Sequence, residues 1–228
     1  MGALVFIVQV VGSFSKKEAI KFGWGVMKSH FWFFVAALVV ASLVSVIPNI
    51  FNSLSETNKN LTIPVIVVAW VALAIKLVMD LGFIKIALQL HDNQPVQLSM
   101  LFSQYRLLVK YLLSAIVYGL IILGGFILLI IPGIIFSIRF QYYSYLMVDK
   151  SLGPIEALKQ SWRMTKGHTW NLFLLGILLG LINLGGALLL LVGLLATIPT
   201  TMMANAYVFR KLQAASASTP GTPAPASA

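Results

Sequence analysis

The sequence predicts an all-α integral membrane protein with about six transmembrane helices, built as three repeated units of an interfacial amphipathic helix followed by a transmembrane hairpin. Three observations carry this. First, 59% of the 228 residues are hydrophobic and only 10% are charged, with mean hydropathy +0.94, whereas soluble domains carry roughly 25% charged residues. Second, several apolar runs approach or exceed the ~20 residues that cross a hydrocarbon core of about 30 Å as a helix. Third, two kinds of segment recur. Glu156, Ala157, Lys159, Trp162, Lys166, His168 and Trp170 match Glu18, Ala19, Lys21, Trp24, Lys28, His30 and Trp32 at an offset of 138, seven identities in fifteen positions. Gly119 to Ile131 matches Gly180 to Val192 at eight of thirteen positions, at an offset of 61. Internal repetition of this kind marks a recurring structural unit.

The net charge of +10 does not point to nucleic acid, because the sixteen Lys and Arg residues sit at the ends of apolar runs and form no basic domain. That placement is the one expected of membrane topogenesis. Having no cysteine, the chain has no disulfide, thiolate metal site or Cys nucleophile.

Residues 1–14 form an apolar lead-in, too short to span and followed by Lys16 and Lys17, the reverse of a signal peptide's order. Ser15 to Ser29 reads as a surface helix. Ser15 and Glu18 have capping-box spacing, Ile20, Trp24 and Met27 share one face, and Lys17, Lys21 and Lys28 share another. Such a helix lies in the headgroup layer. The first span follows from about Phe31 to Ile47, ended by Pro48 and the polar segment Asn49 to Asn60. Thr62 to Leu90 is longer than one crossing requires, and it holds Lys76, Asp80 and Lys85.

After the polar turn His91 to Gln94, Pro95 opens a short amphipathic segment with Leu98, Leu101, Phe102 and Tyr105. The apolar stretch that follows, introduced by Arg106 and Lys110 and ending at Tyr145, holds too many residues for one span. It folds into two, with the turn either at Gly124-Gly125, which gives spans of better-matched length, or near Pro132-Gly133, the stronger turn signal and the preferred position. Pro154 to Trp170 opens the third unit, and Trp170 to Phe209 supplies its hairpin. The units run about 15–90, 95–148 and 154–212 within one membrane domain (15–212), and residues 213–228, lacking any large apolar side chain, are expected to be a disordered tail.

Each unit returns the chain to its starting side. Twelve cations, among them Lys17, Lys21, Lys28, Lys159, Arg163 and Lys166, then lie on one face against Lys59 alone on the other. The positive-inside tendency makes that face cytoplasmic and both termini with it. The six named cations are candidate contacts for anionic lipid. Charges within the apolar runs need a different account, since an ionisable group in hydrocarbon costs several kcal/mol unless paired or wetted. Lys76 and Asp80, four apart on one helix, with Arg139 are therefore a candidate intramembrane polar site, read either as a ligand site or as a neutralising network between hairpins. His30, His91 and His168 lack carboxylates at ligand spacing and make no metal site. No nucleophile elbow, phosphate loop or dinucleotide fingerprint is present, so no catalytic residue and no cofactor is assigned.

The order Leu129-Ile130-Ile131-Pro132-Gly133-Ile134, Arg139, Val148-Asp149, Glu156-Ala157-Leu158, Ser161-Trp162, Thr165-Lys166-Gly167-His168, Gly193, Pro199 and Tyr207 resembles a broad family of uncharacterised prokaryotic integral membrane proteins. That family is similar to the membrane domain fused to some glycerophosphodiester phosphodiesterases. The resemblance covers about Met79 to Leu212 and implies a six-helix membrane domain with no established activity. This chain is expected to carry no phosphodiesterase domain. The leading expectation is a non-enzymatic protein of the prokaryotic cytoplasmic membrane that organises lipids or a partner membrane protein through its basic helices. The alternative is a transporter or channel using the intramembrane charges.

Overall fold

A computed structural model describes residues 14–57, 62–189 and 192–217, and every regular element among them is helical. In chain order these are α1 (Lys16–Ser29), α2 (Phe31–Thr57), α3 (Thr62–His91), two 3-10 turns (Leu98–Phe102 and Tyr105–Leu107), α4 (Leu108–Leu128), α5 (Ile130–Phe140), α6 (Tyr143–Lys150), α7 (Pro154–Met164), α8 (Thr169–Leu188) and α9 (Leu194–Ala217). All of the lead-in before Phe14, Lys59, and the tail from residue 218 onward lie outside the described residues.

Four segments are long and apolar enough to cross a bilayer: Phe31–Ile50, Ile63–His91, Leu98–Leu128 and Thr169–Leu188. The chain is a multi-pass membrane protein. The outward faces of these helices are lined with exposed Val, Leu and Ile, as hydrocarbon contact requires. The remaining helices differ in kind. At eleven residues, α5 is about half the length of a crossing, and α9 is too polar to count as a span although much of it is buried.

That enclosure explains its composition. Pro199, Thr200, Thr201, Met203, Ala204, Ala206, Val208, Phe209 and Leu212 of α9 are all buried, and α1, α2, α3, α7 and α8 pack around it. A helix that meets protein on most sides needs small residues for close approach more than it needs apolar ones.

The expectation for α1 is corrected here. Its buried stripe is Ala19, Gly23 and Met27, at intervals of four, while Trp24 is turned outward. This stripe packs on α9, and a Cβ at Gly23 would sit 3.1 Å from the Ala204 backbone nitrogen. The Ser15 cap forms, with its hydroxyl accepting from the Glu18 backbone N–H at 3.4 Å. Glu18 does not reach back to complete a capping box; it accepts from the Tyr207 hydroxyl of α9 at 3.3 Å. The helix thus buries one face against protein and leaves the other exposed.

The hairpin turn is also displaced. The chain reverses at Leu129, whose backbone is extended (φ −166°, ψ 154°), and not at Pro132. Pro132 falls in the first turn of α5, where the N–H it lacks has no intrahelical partner to lose, so it opens that helix. The arms cross at glycine: a Cβ at Gly125 would lie 3.0 Å from the Gly133 Cα. The α8–α9 hairpin crosses the same way, a Cβ at Gly186 lying 3.1 Å from the Gly193 carbonyl carbon. At its far end α9 continues to Ala217, so residues 213–217 of the expected tail are helical.

Candidate functional site

The six cations named for lipid contact are all exposed, and none has an ion pair among the described residues. Lys17, Lys21 and Lys28 line the outer face of α1, whose cap and glycine contact fix its rotation. Lys28 Nζ sits 5.8 Å from the Trp24 ring centre. Lys159, Arg163 and Lys166 project from α7 and its C-terminal turn. That helix buries Ala157, Leu158, Ser161 and Met164 on its other face, and of the elements described it has the sharpest division between apolar and charged sides.

The three members of the candidate intramembrane site are placed separately. Lys76 and Asp80 are exposed one turn apart on α3, and no hydrogen bond or ion pair joins them among the described residues. Tyr111 of α4 stacks on Tyr143 of α6 with ring centres 5.9 Å apart. Arg139 lies elsewhere, at the end of α5 against α7, and neither Lys76 nor Asp80 bonds to it.

Around Arg139 the motif residues converge. The Ser161 hydroxyl donates to the Arg139 carbonyl at 2.9 Å, and the Thr165 hydroxyl donates to the same oxygen at 3.0 Å. Ser161 also accepts from the Tyr142 backbone N–H at 3.2 Å. These bonds satisfy the groups that α5 leaves open where it ends. The Arg139 guanidinium carbon lies 3.7 Å from the Trp162 ring centre, and Phe136 and Phe140 close on the same indole with ring centres 5.8 and 5.1 Å away. Gly167, at φ +86°, reverses the chain into α8 in a conformation that costs glycine little. The segment Ser161-Trp162 with Thr165-Lys166-Gly167 is thus a cradle for one arginine.

Sequence reasoning missed a second centre, around Arg210. Arg210 of α9 donates through Nη1 to Asp149 Oδ1 at 2.7 Å and through Nε to Asp92 Oδ1 at 3.2 Å, while its Nη2 meets the other Asp92 oxygen. Gln213 donates to Asp149 Oδ2 at 2.7 Å, and His91 Nδ1 lies 3.0 Å from Asp92 Oδ1. Burial alone would push the Asp92 carboxyl up, but hydrogen bonds and charge from His91 and Arg210 outweigh it and hold it below the usual carboxylate value.

His30 stays beside Ser29, with its Nδ1 3.0 Å from the hydroxyl, and His168 packs near Phe14 with ring centres 6.5 Å apart. Burial holds the His168 imidazole below the ordinary histidine value, so it is neutral at pH 7. Among the described residues no group of three His, Cys, Asp or Glu is placed to hold a metal ion. An apolar groove of about 370 Å³ lies between α3 and the first 3-10 turn, lined by Ala74, Ile75, Val78, Phe102, Tyr105 and Leu108. It offers dispersion contact and no chemistry.

Residues 96–227, more than half of the chain, match the family model described as a domain of unknown function, DUF7847. Among curated proteins, an uncharacterized protein of Mycobacterium bovis and one of Mycobacterium tuberculosis are each 30% identical over 139 residues. These alignments cover 61% of this chain and 42% of each relative, so the match spans less than half of the relatives' length. No solved structure matches the chain.

Proposed function

The chain belongs to the DUF7847 family, and from that premise we propose that it is a non-enzymatic organiser of anionic lipid at the cytoplasmic face of a prokaryotic membrane. The observation that supports this reading is the set of six exposed cations on α1 and α7, which have no ion pair among the described residues. Each Lys or Arg near an anionic surface contributes about 1 kcal/mol, so six acting together suffice to enrich acidic lipid around the protein. Exposed Trp24 and Trp170 beside the same helices suit the interfacial layer. On this reading the protein is three units of opening helix and hairpin, and both termini are cytoplasmic. The paired glycine crossings at Gly125–Gly133 and Gly186–Gly193 support equivalence of the second and third units. The motif likeness to phosphodiesterase-linked membrane domains brings a fold to this reading and no reaction.

The test is the lipid that co-purifies with the protein. Relative to wild type, a variant with Lys17, Lys21, Lys28, Lys159, Arg163 and Lys166 all changed to Gln loses most of its phosphatidylglycerol and keeps its zwitterionic lipid. Equal phosphatidylglycerol in both would sink the reading. Lys76 and Asp80, exposed on a membrane helix, favour one competitor, a transporter or channel. Solute flux across proteoliposomes that disappears in Asp80→Asn would establish it instead.

A further inference from the structure

We propose that Arg139 and Trp162 form a discrete binding site for a phosphate group, distinct from the diffuse basic surface, and that an anionic phospholipid headgroup is its main source. This deepens the lipid-organising reading and rests on it. Arg139, at the end of α5 against α7, is fixed at both ends. Ser161 and Thr165 hold its backbone carbonyl, and the Trp162 face holds its head at 3.7 Å. Yet its Nε is sealed from solvent with no hydrogen-bond partner, and no carboxylate pairs with it among the described residues.

Three of the acids are bonded elsewhere. Of the chain's six, Glu18 takes Tyr207, Asp92 and Asp149 hold Arg210, and Asp80 sits near Lys76. Glu156 lies in the first turn of α7, and Glu56 belongs to the far end of α2. Among the described residues no carboxylate neutralises Arg139, which leaves its guanidinium open to an anionic ligand. A planar guanidinium already stacked on an aromatic presents its N–H fork edge-on, the geometry that meets two phosphate oxygens at once. Stacking also lowers the cost of desolvating the ion before the ligand arrives. Arg163, next in sequence to Trp162 and exposed, marks the approach as electropositive.

The test uses the full chain in phosphatidylcholine nanodiscs, with Trp24, Trp32, Trp70 and Trp170 changed to Phe so that Trp162 alone reports. Titrated phosphatidylglycerol gives a saturable change in Trp162 emission. Arg139→Gln weakens that binding at least tenfold. Arg139→Lys keeps the charge and loses the fork, so it weakens binding threefold or more. It serves as the test variant if Arg139→Gln does not fold. Inorganic phosphate that produces the same saturable change without added acidic lipid supports the site and assigns its source to a soluble phosphate. No saturable response to either probe, or a response untouched by both Arg139 variants, overturns the proposal. Bulk phosphatidylglycerol enrichment without a saturable step refutes this site alone, whereas a saturable step without enrichment refutes the basic-surface reading alone.

Discussion

Arg210 shows how much one side chain can organise here. With 20% of its side chain accessible, and Asp149 at 16%, it ties the C-terminal half of α9 to α6 and to the exit of α3. Removing one partner of an enclosed ion pair leaves the other charge desolvated and unpaired. Arg210→Gln is therefore expected to lower stability by about 2 kcal/mol, between the values for exposed and fully buried pairs, read as a fall in melting temperature in detergent. The same clasp predicts an acid limb. Because the folded Asp92 lies below its ordinary value of 3.8, its contribution is complete above that value and is lost as pH falls through the lower folded one. Thermal melts across that range detect the loss in wild type and a smaller one in Arg210→Gln. None of this was legible from residue type. Asp92 and Asp149 read as turn residues and Arg210 as a topogenic charge, since pairing across 118 positions leaves no local trace.

At the scale of elements, periodicity predicted more than it placed. The capping signal at Ser15, the proline start of α7 and the long apolar runs all became helices near their expected bounds. What failed was the assignment of faces and turns. A stripe of Ala19, Gly23 and Met27 is less hydrophobic than Ile20 and Trp24, yet it is the one that packs, because α9 comes too close for anything larger. Hydrophobicity ranks faces by transfer from water, whereas helix pairs in a membrane select for small residues. Two glycines on α1 test this with opposite signs. Gly23→Ala pushes a methyl into the Thr200 carbonyl and the Ala204 amide and loosens α1 from α9. Gly25→Ala meets nothing within 4 Å and gains about 0.5–1 kcal/mol from helix propensity. Proteolysis of α1, faster in the first variant and slower in the second, checks both.

For the whole molecule, composition alone settled the class, and the four bilayer-length segments agree with it. The count of crossings was harder to read, because α5 is short and α9 hides a buried helix behind threonine and alanine. The candidate intramembrane site divided for a related reason. Spacing brings Lys76 and Asp80 together on α3, but only tertiary structure seats Arg139 in the cradle of α7. On the proposed reading, the basic faces of α1 and α7 share the cytoplasmic surface. The natural absence of cysteine permits a direct measurement with single substitutions Lys17→Cys, Lys159→Cys and Ser53→Cys and a membrane-impermeant thiol reagent. In inside-out vesicles the account predicts labelling at positions 17 and 159 and protection at 53, with the pattern reversed in right-side-out spheroplasts. Labelling of 17 and 159 from opposite sides would contradict it.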